Sequence, residues 1–392
     1  MNHVRFGGGA AGGGAGGGAG GGAGGGAGGG AAIDTLMDGY SDPLFVAALD
    51  RAREGIVDPR STQAYPHPDL PTIGNPANVV DCCARWEPWV RSYLATQELL
   101  EPISFAYLSS GNTPTGLKVL VNGGARPVEL VSMERPGRQK FADEIAEVLG
   151  FAELREDRAA EVLTQIDSQL PFWSAVVQMR PDLTPKTYEL LNVALQLAIF
   201  VEMRFKHELG CWRPVNFSAD VQPMITTPGH GSLPMGHAVQ AYMNASILWK
   251  LADASGANKG LRDMLYRQAF RIAFNRVVAG VHFPVDLPAG AALGMALGDY
   301  FLRRCTKLDP CNGWSALAAE TATPMDTWQF DAASYKSHPI TRPDFVAGYR
   351  KNGQGAAPGF QPARVTSYLW TCARAEWDKR QPTAQGGGCH AP

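Results

Sequence analysis

Lys206–Pro214 reads KHELGCWRP and closes a long helical stretch that opens at Thr184-Pro185. Threonine followed by proline is a cap next to a ring already set at helical φ, so a helix starts there. The pattern runs to Leu209, where Gly210 stops it. Lys206 falls in the last turn and Arg213 just past the stop, so both cations can face one pocket at the helix end. Pro214 stiffens the exit. Within this stretch, Tyr188 to Met203 is apolar but interrupted by Glu189, Asn192, Gln196 and Glu202. That predicts a buried helix and no membrane span.

Two further stretches follow in order. Pro234–His237, PMGH, opens a helix near 237–253. Backbone N–H groups at a helix start face outward, and the macrodipole favours an anion there. Gly236 lets an oxyanion approach the backbone, and His237 reaches it from the first turn. Arg276–Asp286, RVVAGVHFPVD, ends a helix over 260–279, breaks it at Gly280 and starts another near 287–304. Asp286 stands four residues after His282. A carboxylate there can accept from one ring nitrogen, fix the tautomer and leave the other nitrogen as ligand or nucleophile. Each motif alone has a plain reading: solvated cations, a capping histidine, a structural i,i+4 pair. Jointly they predict that Lys206, Arg213, Arg276, His237 and His282 ring one pocket for a tetrahedral or trigonal-bipyramidal oxyanion.

The rest of the chain sets limits on that reading. Its 392 residues are 45% hydrophobic and 18% charged, with a net charge of -2. No global field pulls it toward nucleic acid or an acidic membrane, so anion binding must be local. Seven cysteines without a CxxC pair argue against a zinc site. Cys305 and Cys311 read either as reduced thiols or as a small disulfide loop, and Cys211 as a buried filler. The N-terminus lacks the apolar core of a secretory signal, from which a cytoplasmic location is expected.

Residues 1–32 are Gly/Ala-rich, nearly pure GGGA from residue 7, and are expected to be disordered. Residues 33–325 read as an all-α catalytic domain. Asp42-Pro43 opens one helix that ends before Gly55; Phe141, Ile145, Val148 and Leu149 mark another, stopped by Gly150. Strand signals are few. Leu117–Asn122 is the best, and Val128–Val131 could pair with it. Residues 326–392 are rich in Pro, Gly, Arg and Ser with scattered aromatics (Trp328, Phe330, Tyr335, Phe345, Tyr349, Phe360, Tyr368, Trp370). They are expected to form an extended arm packed on the domain, one that could also wrap a neighbour in a homo-oligomer.

The three motifs resemble those of the superfamily that joins vanadium-dependent haloperoxidases to type-2 phosphatidic acid phosphatases and bacterial acid phosphatases. Its pattern KxxxxxxRP, PSGH, SRxxxxxHxxxD corresponds here to Lys206…Arg213-Pro214, Pro234-Met235-Gly236-His237 and Asn275-Arg276…His282…Asp286. The resemblance implies a helical bundle of that type and vanadate as cofactor. His282 would bond vanadium, or attack phosphorus in a phosphatase. Lys206, Arg213, Arg276 and the Gly236 amide would neutralise equatorial oxygens, and His237 would be the general acid–base. Two departures stand out. Asn275 replaces a serine, and Met235 replaces the serine whose hydroxyl bonds an equatorial oxygen in the family. Loss of such a bond costs on the order of 1.5–3 kcal/mol; Ser232 or a water could substitute.

The same cage suits phosphate or vanadate. The absence of multiple spans, a length beyond the small acid phosphatases, and His230 seven before His237 favour the haloperoxidases. In that family the seventh position holds histidine in bromoperoxidase-like members and phenylalanine in the fungal chloroperoxidase type. Met203, where several relatives have tryptophan, and Met235 are oxidisable thioethers expected beside the halide site, which favours bromide or iodide over chloride. His207 lies about 100° around the helix from Lys206 and is expected to face elsewhere. The expected activity is oxidation of halide by hydrogen peroxide to a hypohalous acid equivalent that halogenates a small organic substrate. The alternatives are a phosphatase acting through a phosphohistidine on His282, and a non-catalytic oxyanion-binding protein.

Overall fold

Helix α1 (Pro88–Leu100) leads into strands β1 (Ile103–Ser110), β2 (Thr113–Val121) and β3 (Val128–Glu134). Short helices α2 (Arg138–Asp143) and α3 (Ile145–Gly150) follow, then a 3-10 turn, α4 (Arg155–Asp167) and α5 (Leu170–Val177). Next come the long helices α6 (Pro185–Leu209), α7 (Gly236–Ala252), α8 (Lys259–Val278) and α9 (Asp286–Arg304). Strands β4 (Thr306–Asp309), β5 (Gly313–Ala316), β6 (Thr327–Phe330) and β7 (Tyr349–Asn352) precede the last helix, α10 (Arg364–Asp378). This computed structural model describes residues 83–122, 127–253, 258–309 and 360–380, with short pieces at 47–48, 50–52, 73, 313–316, 327–330 and 349–352. The Gly/Ala-rich residues 1–32, most of the helix expected after Asp42-Pro43, Tyr335, Phe345 and Cys311 lie outside the described residues.

The fold is mostly helical, as the periodicity predicts. The expected pairing of the 117–122 and 128–131 segments is present as antiparallel β2 and β3. In β2, Leu117, Val119 and Val121 alternate inward and are buried. The sheet is larger than the sequence announced. β1 flanks β2, and β6 runs parallel to β3 with β7 beyond it, giving the order β1-β2-β3-β6-β7. No described helix is long and apolar enough to cross a membrane.

Helix α7 is buried along nearly its whole length. Its closest partner is α9, whose Gly290 and Gly294 make the approach possible. A Cβ on Gly290 would fall 2.4 Å from the Met235 carbonyl oxygen, and one on Gly294 2.4 Å from that of Val239. These are backbone contacts that no side chain could relieve.

The C-terminal region corrects an expectation. Residues 364–378 are not extended; they form α10, with Val365, Leu369, Ala373 and Trp377 buried at helical spacing. The expected packing on the domain does occur. Glu376 accepts from the amides of Lys186 (2.7 Å) and Thr187 (3.0 Å), which caps α6. Thr184, the cap the sequence suggested, instead bonds back to Arg180. Arg374 donates to the Lys250 carbonyl at the end of α7, and the Ala363 amide to the Arg304 carbonyl at the end of α9. One helix thus ties three others.

The start of α9 is held by Glu144, between α2 and α3. Its Oε2 accepts from the Val285 amide at 3.0 Å. Burial pushes this carboxyl up to about 7, against that bond and Lys140. Between its ordinary value of 4.5 and about 7, the folded protein holds a proton that the unfolded chain has lost. Stability from this group is therefore full below pH 4.5 and declines as pH rises toward 7, by at most about 1.4 kcal/mol per pH unit. Glu144→Gln keeps the acceptor and removes the titration. In urea melts, the variant should gain on the wild type between about pH 5 and about pH 8.

Candidate active site

Four helix ends meet at one end of the bundle: the C-termini of α6 and α8 and the N-termini of α7 and α9. Each brings a charged or titratable side chain, and each of these is almost wholly buried. Lys206 is 1% exposed, Arg213 3%, His237 1%, Arg276 0%, His282 2% and Asp286 0%. Cations at helix C-termini also meet the favourable end of the dipole.

Lys206 Nζ donates to the carbonyls of Gly231, Ser232 and Pro234. Arg213 donates to the carbonyls of Val281 (2.6 Å), His230 (3.2 Å) and Gly231 (3.3 Å). A further Arg213 N–H points at His282 Nε2, 2.9 Å away. A guanidinium can only donate, so Nε2 carries the lone pair. The other ring nitrogen agrees: His282 Nδ1–H donates to Asp286 Oδ2 at 2.9 Å. That oxygen also accepts from Ser232 Oγ and, at 2.9 Å, from the Phe283 amide. Burial, then Arg213 and Lys206, hold His282 well below the usual imidazole range, so it is neutral.

Across the cage, His237 Nε2 donates to the Gln165 carbonyl at 2.9 Å, which leaves Nδ1 able to take a proton. Arg276 donates through one terminal nitrogen to the Val162 carbonyl (2.8 Å) and the Gln165 side-chain oxygen (3.2 Å). Its Nε and other terminal nitrogen are buried and have no partner among the described residues. Orphaned guanidinium donors in a native core are costly, and an oxyanion satisfies them. Burial lowers Arg276 to about 9, and burial followed by Arg213 lowers Lys206 to about 7. An anion among these groups would reverse both shifts.

The sequence of residues 188–307, which carries all three motifs, matches the PAP2 superfamily. That superfamily includes the type-2 phosphatidic acid phosphatases and the vanadium haloperoxidases, and its members are phosphoesterases or haloperoxidases. No curated protein matches the chain.

Measured against the superfamily pattern, the motif residues Lys206, Arg213, Gly236, His237, Arg276, His282 and Asp286 converge. His230 lies at the cage edge, half-buried, with Nδ1 accepting from Arg213 at 3.1 Å. Burial, then Lys206 and Arg213, push it down to about 4. Met203 is corrected: it is 36% exposed on the outer side of α6, in line with exposed Phe200, Arg204 and His207. Met235 is fully buried in the apolar core, and its amide donates to the Asp286 carbonyl at 3.0 Å. Ser232 does not replace the missing hydroxyl, because its O–H is committed to Asp286. Asn275 ties α8 to α4 through Glu161 and Gln165, at 3.0 Å each.

Two residues escaped the sequence reading. Gln165, on α4, holds both His237 and Arg276, one through its main chain; nothing in a single sequence marks it. Glu202 was visible only as an interruption of an apolar run, yet it stands four before Lys206 and so on the same face. It is 1% exposed and presses on Gly236, where an added Cβ would fall 2.5 Å from its Oε1. Its Oε2 has no partner among the described residues. Burial pushes its carboxyl up to about 7, opposed by Lys206, Gln240 and Arg213.

Two outcomes follow from this geometry. Asp286→Ala would leave three donors unanswered and should lower the unfolding free energy by about 2–4 kcal/mol in denaturant titrations. Glu202→Gln removes a carboxylate that is charged above about pH 7 and repels a second anion. Calorimetry should show tighter orthophosphate binding by the variant at about pH 8 and little change at about pH 6.

Proposed function

We propose that this cage holds vanadate and that the protein oxidises bromide or iodide with hydrogen peroxide, giving a hypohalous acid equivalent that halogenates a small organic molecule. The observation that carries the reading is a neutral His282 whose Nε2 lone pair is met by an Arg213 N–H, together with Arg276 donors that have no partner among the described residues. That donor set fits an oxyanion whose central atom accepts a nitrogen ligand. Lys206, Arg213, Arg276 and the Gly236 amide would hold its oxygens, and His282 Nε2 its metal. When bound, vanadate supplies the Lewis-acidic centre that activates peroxide toward halide.

The protein's own part is electrostatic and prototropic. Asp286 keeps the proton on His282 Nδ1, so Nε2 is never lost to the wrong tautomer. Arg213 donates toward that lone pair here and would be placed to donate to the oxygens of a bound oxyanion. His237, held well below the usual range by burial and then Arg276, is neutral in the empty cage. Negative charge in the cage raises its affinity for a proton, so Nδ1 becomes an acid only when an oxyanion is present. Support for peroxidase over phosphatase comes from His230, whose Nδ1 accepts from Arg213 at the cage edge.

A phosphatase reading has support from the same lone pair. Nε2 can attack phosphorus while His237 protonates the leaving oxygen, and water then cleaves the phosphohistidine. One preparation decides between them. Protein equilibrated with orthovanadate should brominate a cyclic diketone when peroxide and bromide are added. His282→Ala should lose this by about a thousandfold or more, as a removed nucleophile or ligand does. Hydrolysis of an aryl phosphate by the vanadate-free protein, inhibited by vanadate, with no bromination, would replace the first reading by the second.

A further inference from the structure

Outside the cage, a cleft of about 890 Å³ lies between the sheet and the loop after α6. Its walls are the start of β2, the turn after β3 and Gly210–Trp212. The volume lies in the range of organic-ligand sites, and far exceeds what a halide or phosphate needs. Four features of the cleft bear on what it holds.

The first is charge. Arg135 and Arg138 line it and are exposed, and neither guanidinium has a hydrogen bond or ion pair among the described residues. No acidic side chain among the described residues lines the cleft. In a chain of net charge -2, this is a local positive site. The second is an aromatic surface: Trp212 is 68% exposed and Phe217 half-buried, with Phe141 beneath. A tryptophan left that open on a cleft wall offers a stacking face. The third is depth. Phe141 and Phe217 pack on Phe283 at ring distances of 4.9 and 5.4 Å, and Phe283 follows His282 in the chain. The fourth is a shared wall. Cys211 lines the cleft, its carbonyl accepts from the Ser232 amide of the cage loop, and its thiol feels both Asp286 within the cage and Arg135 in the cleft.

We infer that this cleft binds the organic partner of the reaction and selects a planar aromatic molecule that carries its own anionic group, the ring on Trp212 and Phe217 and the carboxylate or sulfonate on Arg135 and Arg138. The inference rests on the reading that the cage acts on, or makes an oxidant for, an organic molecule. It names the recognition chemistry that the cage residues themselves lack. Both arginines project from backbone fixed by β3 and α2, so both side chains can reach the cleft. Arginine also suits the role because its planar fork meets a carboxylate or sulfonate through two parallel bonds.

Binding can be measured without turnover, so the test stands whichever activity the cage proves to have. Full-length protein is titrated calorimetrically with 2-naphthoate, with neutral 2-naphthamide and, as a probe of the cage, with orthophosphate. The wild type should prefer naphthoate to naphthamide by about tenfold or more, the factor expected for a charge-assisted pair. The double variant Arg135→Gln, Arg138→Gln should lose that preference while keeping its affinities for naphthamide and orthophosphate. Trp212→Ala should weaken both naphthyl ligands. The proposal is overturned if the wild type shows no preference, if the preference survives in the double variant, or if orthophosphate displaces naphthoate one for one, which would seat the acid in the cage.

Discussion

Lys206, Arg213 and Arg276 are each 3% exposed or less, and they bond mainly to backbone carbonyls. Taking a cation out of water costs several kcal/mol even after relaxation. Carbonyl dipoles offset part of this, and the two helix C-termini add to them. Much of the architecture near the cage supplies those acceptors. The 230–234 loop gives Lys206 three carbonyls and Arg213 two. The turn after α8 gives Val281, and α4 gives Val162 and Gln165. These acceptors leave unmet the Nε and one terminal nitrogen of Arg276, which have no partner among the described residues.

The carboxylates near the cage do not settle that debt themselves. Asp286 spends one oxygen on Ser232, His282 and Phe283, and burial raises it to about 6. Glu202 is raised by burial to about 7. Both are drawn toward the neutral acid, so the cage stays net positive toward a ligand at mildly acidic pH and less so above neutrality. A positive field and a neutral histidine nitrogen then coincide at buried helix ends, where the low dielectric makes each contact count for more.

Short-range spacing explains why so much of the cage was legible in the sequence. His282 and Asp286 are four apart, and Gly210, Pro214 and Gly280 mark where helices stop. Those local rules place side chains at helix ends without any knowledge of the fold. The misreadings have a different character. Gln165 acts partly through its main chain, and a carbonyl has no residue identity to read. Glu376 caps α6 from 190 residues away. In α10, Val365, Leu369, Ala373 and Trp377 carry a helical period, but the surrounding Pro/Gly-rich composition of 326–392 hid it. Met203 failed because three residues are 300° of helix: 60° off the Lys206 direction was enough to put it on the exposed strip with Phe200 and His207.

Met235 stands where the superfamily pattern has serine, and its surroundings accommodate the methionine. The methionine side chain belongs to the apolar core, and its amide pins α7 to the start of α9 through the Asp286 carbonyl. The lost hydroxyl is not recovered from Ser232, whose proton belongs to Asp286. What does stand against Gly236, the next residue, is Glu202, buried and with one oxygen unanswered. As a carboxylate it opposes any oxyanion that enters; as an acid it offers an O–H in the neighbourhood from which a serine has been withdrawn. An arriving anion favours the acid by the same electrostatics that burial does. A site built this way can keep its count of donors while making one of them depend on pH, which a serine hydroxyl would not do.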